Sequence, residues 1–213
     1  MNPEASPGPA QPAEPARPGA RLRRGQRRDA IVRGAIRAFA RTGYAATSLD
    51  DVAAEAAISR ALLYRHFESK EDLYRAALGD IHGRIRAATR PSGDFAPERI
   101  EAFIRVAQAD PDGFRLLFRH AAREPEFREF TDTLRAHMTA AAQHAMRSFM
   151  PDESQRRWAA GLIPATIIEA IIAWLDAGAP DPDRAPDAIR AMQRGIIAAI
   201  RGAPAVSPPS RTR

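Results

Sequence analysis

The chain has 213 residues, a net charge of +6 and no cysteine. That length allows one or two domains with a sizeable core. The missing cysteines exclude disulfides and thiolate metal sites and suit a cytoplasmic protein. No run of eighteen uncharged apolar residues occurs and the N-terminus lacks an apolar h-region, so neither a membrane span nor a secretory signal is expected.

Residues 1–20 are mostly Pro, Ala and Gly with almost no large apolar side chain, which predicts a disordered tail. Residues 17–43 hold nine arginines against one acid, Asp29, while residues 44–213 balance to zero. Positive charge confined to one end is the footprint of a polyanion contact. Within it, residues 21–28 form a basic arm whose Arg23, Arg24 and Arg28 can reach phosphates or a minor groove, or simply be solvated. A first helix is predicted over about 26–42, ending at Gly43, a residue suited to the position after a helix.

Residues 47–56 and 59–66 then read as two short helices with almost no connection. Thr47 and Ser48 offer a cap, Asp50 and Asp51 suit the first turn, and Leu49, Val52, Ala53 and Ala56 make one apolar stripe. Ser59 offers the next cap only three residues after Ala56, so the two helices must cross steeply, as in a helix-turn-helix. In the second helix, Arg60 to His66, the residues Ile58, Leu63 and Phe67 supply the buried contact. Ser59, Arg60, Ala61, Leu62, Tyr64 and Arg65 are left outward. Arg60 suits guanine in a major groove, Leu62 a thymine methyl and Tyr64 a phosphate, while Ala61 lets the backbone approach. An ordinary amphipathic hairpin would have the same apolar pattern.

The run IVRGAIRAFARTGYAATSL, with Ile31, Ala35, Phe39, Gly43, Tyr44 and Thr47, resembles the TetR (tetracycline-repressor-like) family of transcriptional regulators. So does VAAEAAISRALLYRHFESKEDL, through Leu63-Tyr64, His66-Phe67 and Ser69-Lys70. Two departures are Ala57 and Ala61, where the family often has Gly; a positive φ at Ala57 would cost about 1 kcal/mol. The resemblance implies a three-helix DNA-binding domain over 21–70 and a helical effector-binding and dimerisation domain over 71–202, about nine helices in all. It implies that Thr47, Ser48, Arg65, His66 and Lys70 join the DNA-facing set. Lys70, the single lysine, sits where a helix dipole disfavours a cation, which makes sense opposite a phosphate.

Ser69 caps a fourth helix running to about Thr89, with Leu73, Ala77, Ile81 and Ile85 on one face, and Pro91 to Asp94 break it. From Pro97 every segment reads helical: Pro97 to Ala109, Asp112 to about Arg123, Glu126 to Phe149, Glu153 to Ala177 and Pro186 to Arg201. No strand alternation is present, so the class is all-α. The segment 153–177 is apolar nearly all round and requires cover on every side; Pro164 should kink it. The resemblance implies a homodimer built from the last two helices, for which Trp158, Leu162, Ile167, Ile171, Leu175, Ile189, Met192, Ile196 and Ile200 are the candidates. The residues from 203 onward read as a second disordered tail.

The resemblance also implies a small, apolar effector in the second domain. Candidate walls are Phe103, Phe114, Phe118, Phe127, Phe130, His137, Met138, Thr166, Glu169 and Trp174, although aromatics at helical spacing are usually plain core. Glu169, a carboxylate in the least polar helix, must be paired, protonated or facing a cavity. His120, His137 and His144 have no tight ligand spacing, so no metal and no cofactor is expected. Nor does the chain contain a nucleophile elbow, a phosphate-cradling loop or an HExxH helix, so an enzyme is not expected. The functional reading is a homodimeric repressor on a palindromic DNA operator. Its rival is an architectural DNA binder without an effector switch.

Overall fold

The computed structural model describes residues 18–89 and 97–202, with side chains from residue 25 in the first segment and from residue 100 in the second. Residues 1–17 of the expected tail 1–20, the expected tail 203–213, the break at Pro91 to Asp94, and the side chains of Arg23 and Arg24 lie outside the described residues, while residues 18–20 of that first tail are helical instead. Nine α-helices and no strand occur among them: α1 Pro18–Ala46, α2 Leu49–Glu55, α3 Arg60–Tyr64, α4 Lys70–Ala88, α5 Pro97–Ala109, α6 Pro111–Arg115, α7 Arg128–Met146, α8 Glu153–Asp176 and α9 Ala185–Ile200. Between α6 and α7 the chain keeps coiling through a π-helical turn, Leu116–His120, and two 3₁₀ turns, Ala121–Arg123 and Pro125–Phe127.

α1 begins earlier than the sequence predicts, so the basic arm from residue 21 is part of the helix. It breaks at Gly43 (φ 79°, ψ 174°), a backbone state that an L-residue rarely adopts. Ile31, Val32, Ala35, Ile36 and Phe39 line its buried face and meet Val52, Leu63, Phe67 and Leu73 in one core. α4 buries Leu73, Ala77, Ile81 and Ile85, the predicted stripe, and also Tyr74 and Leu78. The cores of the two halves are therefore continuous through α4.

Rings make the junction rigid. Tyr74 packs edge-on against Phe39 at 4.8 Å and Phe127 at 4.5 Å, and Tyr44 lies 4.8 Å from Phe127. Arg75 of α4 pairs with Glu129 of α7 at 2.7 Å and lies over the Phe127 ring. On the other side of Gly43, His120 hydrogen-bonds the backbone at Ala40, and burial pushes its imidazole pKa below the ordinary value. These contacts join the π-helical turn to the end of α1 and make the turn a direct neighbour of the helix-turn-helix.

α8 continues through Pro164, with Ile163, Pro164, Ile167, Ile168, Ile171, Ile172 and Leu175 buried. It is long and apolar enough to cross a membrane by length and composition, and 50% of that stretch is buried inside this chain. α7 covers one side and α9 another.

This packing corrects four of the expected dimer residues. Ile167, Ile171, Leu175 and Ile189 belong to the chain's own core. The exposed side of α8 instead carries Trp158, 62% exposed, with Gly161, Glu169 and Ala173, while Leu162 and Ala165 are half-buried at its margin. α9 presents Ala188, Met192, Gly195 and Ala199, and holds Ile196 and Ile200 half-buried against the core.

Candidate nucleic-acid interface

Local hydrogen bonds within residues 42–72 cap the two helices of the helix-turn-helix and close the turn between them. Ser48 accepts from the Asp51 N–H at 3.1 Å while Asp51 accepts from the Ser48 N–H at 2.8 Å, a reciprocal box that caps α2. Those bonds from Ser48 also hold the Asp51 carboxyl below its ordinary pKa. At the far end Ile58 N–H reaches the Ala53 carbonyl (3.0 Å) and Ala57 N–H the Ala54 carbonyl (3.1 Å). This is a Schellman closure with Ala57 at the left-handed position, φ 53°. An alanine there is strained by about 1 kcal/mol. Ala57→Gly should therefore raise the unfolding midpoint in urea, and a lowered midpoint would show that the strain is not there.

α3 is shorter than expected, Arg60–Tyr64, with Arg65 and His66 in the following turn. Ser59 caps it, accepting from the Leu62 N–H at 3.3 Å. Five residues cannot hold a helix alone, so it stands on Leu63 and Phe67, both buried, and on half-buried Ile58. Ser59, Arg60, Ala61, Tyr64 and Arg65 are exposed, with Leu62 and His66 half-buried. Tyr64 is 47% exposed, a large aromatic side chain left half in solvent. Arg28 of α1 is exposed and lies over the Phe67 ring at 4.9 Å, just past the end of α3.

Three sequence expectations change. Thr47 is 2% exposed and donates to the Gly43 carbonyl at 2.6 Å, so it ties the kink and cannot touch DNA by its hydroxyl. Lys70 donates to three carbonyls, of Tyr44 (2.8 Å), Ala45 (3.3 Å) and Thr47 (3.1 Å), and its ammonium stands 4.5 Å from the Tyr44 ring centroid. All three of its N–H donors are used, so this lysine clamps the α1 to α2 turn rather than a phosphate. Third, Arg37 and Arg41 do not belong to the open basic patch: both pair with Glu55 of α2, at 2.6 and 2.5 Å.

A charged donor on backbone carbonyls contributes roughly 1.5–3 kcal/mol. Lys70→Met should destabilise the domain by about that much and leave the salt dependence of DNA binding unchanged. An unaltered melting temperature together with a flatter salt slope would return Lys70 to the phosphates.

In the second domain, Phe103, Phe114 and Phe118 pack with centroids 4.7–5.8 Å apart and all are buried. Phe130 and Met138 are partly buried against the same core. Other expected wall residues are placed elsewhere. His137 and Glu169 are exposed, Thr166 bonds the Leu162 and Ile163 carbonyls of its own helix, and Trp174 donates to the Pro180 carbonyl at 2.7 Å. No cluster of three potential metal ligands occurs among the described residues.

Residues 31–77 match the family model described as bacterial regulatory proteins, tetR family. This segment is a TetR-family DNA-binding domain. The match covers all of α2 and α3, the buried face of α1 from Ile31 onward and the start of α4 as far as Ala77. Among curated TetR-type relatives, the HTH-type transcriptional activator FasR of Mycolicibacterium smegmatis is 35% identical over 118 residues. That alignment covers 52% of this chain and 54% of FasR, so the chain spans about half of that relative's length. A TetR-like transcriptional regulator from Rhodococcus sp. RHA1 shares the fold with a TM-score of 0.71 at 21% identity, covering 83% of this chain and 96% of that one. FadR of Bacillus subtilis, solved in complex with stearoyl-CoA, superposes with a TM-score of 0.59 at 17% identity over 80% of this chain and 97% of its own. The fold of the second domain is therefore shared with these solved structures, and the matched relatives are transcriptional regulators rather than enzymes.

Proposed function

We propose that the protein is a homodimeric, cytoplasmic transcriptional repressor that binds a palindromic DNA operator and is released by a small apolar effector. The observation that carries the DNA-binding part is the α3 face, where Arg60, Ala61, Tyr64 and Arg65 stand exposed on a helix whose other side is buried. A duplex major groove accepts such a helix, with the side chains at base edges and Ser59 and Arg28 near the backbone. Support for two copies comes from the uncovered sides of α8 and α9. Trp158 and Met192 are exposed there, beside glycines Gly161 and Gly195 whose Cβ positions are open space. Two dimer-related α3 helices reach successive major grooves when half-sites lie about one helical turn apart.

Effector control rests on the second domain. Phe103, Phe114 and Phe118 form its aromatic centre, and the reading is supported by FadR of Bacillus subtilis, a protein of similar fold solved in complex with stearoyl-CoA. Such a ligand acts on DNA binding only through different affinities for two conformers. The contact of His120 with α1, and those of Phe127 and Glu129 with α4, are the physical link between the two sites. A second reading, activation, is favoured by the name of FasR.

Selection of bound duplexes from a random pool tests the reading. It should return an inverted repeat, and Arg60→Ala should lose the preference at one position per half-site, a penalty of about 1–3 kcal/mol. A pool that stays random after selection would instead support an architectural binder. A promoter fusion carrying the selected site then decides the sign: deleting the protein raises expression for a repressor and lowers it for an activator.

A further inference from the structure

The guanidinium of Arg60 is held from two sides. Nη1 donates to Asp50 Oδ2 on α2 at 2.9 Å, Nη2 donates to the Tyr64 hydroxyl at 3.4 Å, and Cζ stands 5.7 Å from the Tyr64 ring centroid. Arg60 and Asp50 have side chains 58% and 63% exposed, so their pair adds little to the stability of the fold. Asp50 is also not needed as a cap, because Ser48 and Asp51 close the box between themselves. A carboxylate beside the recognition helix repels every phosphate that approaches, whatever the base sequence. It therefore opposes binding in general without holding the fold together.

We infer that Asp50 is a positioning and specificity-determining residue, which orients the Arg60 fork toward a guanine edge and keeps it off the phosphates. An unheld arginine is long and flexible and can settle its charge on the nearest phosphate, a contact that carries no sequence information. With Asp50 occupying one N–H and Tyr64 another, the remaining guanidinium N–H groups point from a fixed base and can meet guanine O6 and N7 together. The Asp50 carboxylate partly neutralises Arg60, so misplacement on a phosphate gains less. Asp50 thus trades overall affinity for discrimination. The inference rests on the reading of α3 as the base-contacting helix.

The test compares wild type, Asp50→Asn, Asp50→Glu and the double variant Asp50→Asn/Arg60→Ala. Each is titrated against the duplex selected by wild type, the same duplex with the Arg60-dependent base pair changed, and a random duplex. Asp50→Asn should bind random duplex more tightly and reduce the ratio of selected to changed duplex by roughly 10-fold. Asp50→Glu, which keeps the charge, should recover most of that ratio. In the Arg60→Ala background, Asp50→Asn should no longer alter the ratio, because no guanidinium is left to aim. An unchanged ratio in Asp50→Asn, with wild type still showing its Arg60-dependent base, would overturn this inference and leave the DNA-binding reading intact. Parallel weakening on all three duplexes together with a lowered melting temperature would assign Asp50 a structural role and overturn it as well. Wild type without any preferred base would bring down both.

Discussion

Gly161→Arg is expected to convert a dimer into a monomer without disturbing the helices. A side chain built at Gly161 meets nothing within 4 Å, so the isolated chain tolerates it, and glycine is itself a poor helix residue. Between two copies in the proposed dimer the same arginine would bring a bulky charge into the apolar contact beside Trp158 and Leu162, which costs several kcal/mol. Operator affinity should then fall by about 100-fold or more, because the second half-site no longer benefits from the first. Sedimentation equilibrium and helix content by circular dichroism check the two halves of the claim. A dimer that survives Gly161→Arg would place the contact elsewhere.

Gly34→Ala should weaken the DNA-binding domain. The new Cβ would lie 2.6 Å from the Cβ of Ala56, 2.8 Å from its Cα and 2.9 Å from its backbone N. Two effects compete. Alanine gains up to about 1 kcal/mol of helix propensity over glycine, but a contact this short with backbone forces α1 and α2 apart and costs about 1–3 kcal/mol. The clash wins because Ala56 ends α2 immediately before the strained Ala57 and has no flexible tip to yield. α3 follows that turn, so DNA binding should be lost at temperatures where most of the helix content remains. Urea unfolding and a DNA titration on one sample check this; equal stability with intact binding would mean that the helices separate at no cost.

How far the sequence foretold the molecule depends on whether a pattern had one physical solution. α4 is a clear case: Leu73, Ala77, Ile81 and Ile85 recur at a single helical spacing, and all four are buried. α8 had no such solution. It is apolar around its whole circumference, so periodicity does not say which side faces the chain's own core. Ile167, Ile171 and Leu175 read equally well as an outward face, yet they are buried in the chain's own core. Charge misled in a similar way. Lys70, Arg37 and Arg41 read as open cations because their partners are backbone carbonyls and a distant Glu55, and neither leaves a mark in the local sequence. Capping was half legible: the adjacent hydroxyls of Thr47 and Ser48 are equivalent on paper, and only the buried kink at Gly43 decides that Ser48 caps while Thr47 ties. The aromatic junction of Phe39, Tyr44, Tyr74 and Phe127 joins residues far apart in the chain and could not be read from spacing.

Methylation interference on the selected duplex tests most directly whether the exposed face of α3 reads base edges. Methyl groups placed on guanine N7 block a guanidinium in the major groove and leave phosphate contacts untouched. One guanine in each half-site should abolish wild-type binding when methylated and should cease to matter for Arg60→Ala. If no guanine interferes, or if the same guanines interfere equally with Arg60→Ala, Arg60 does not touch the bases and the account is contradicted.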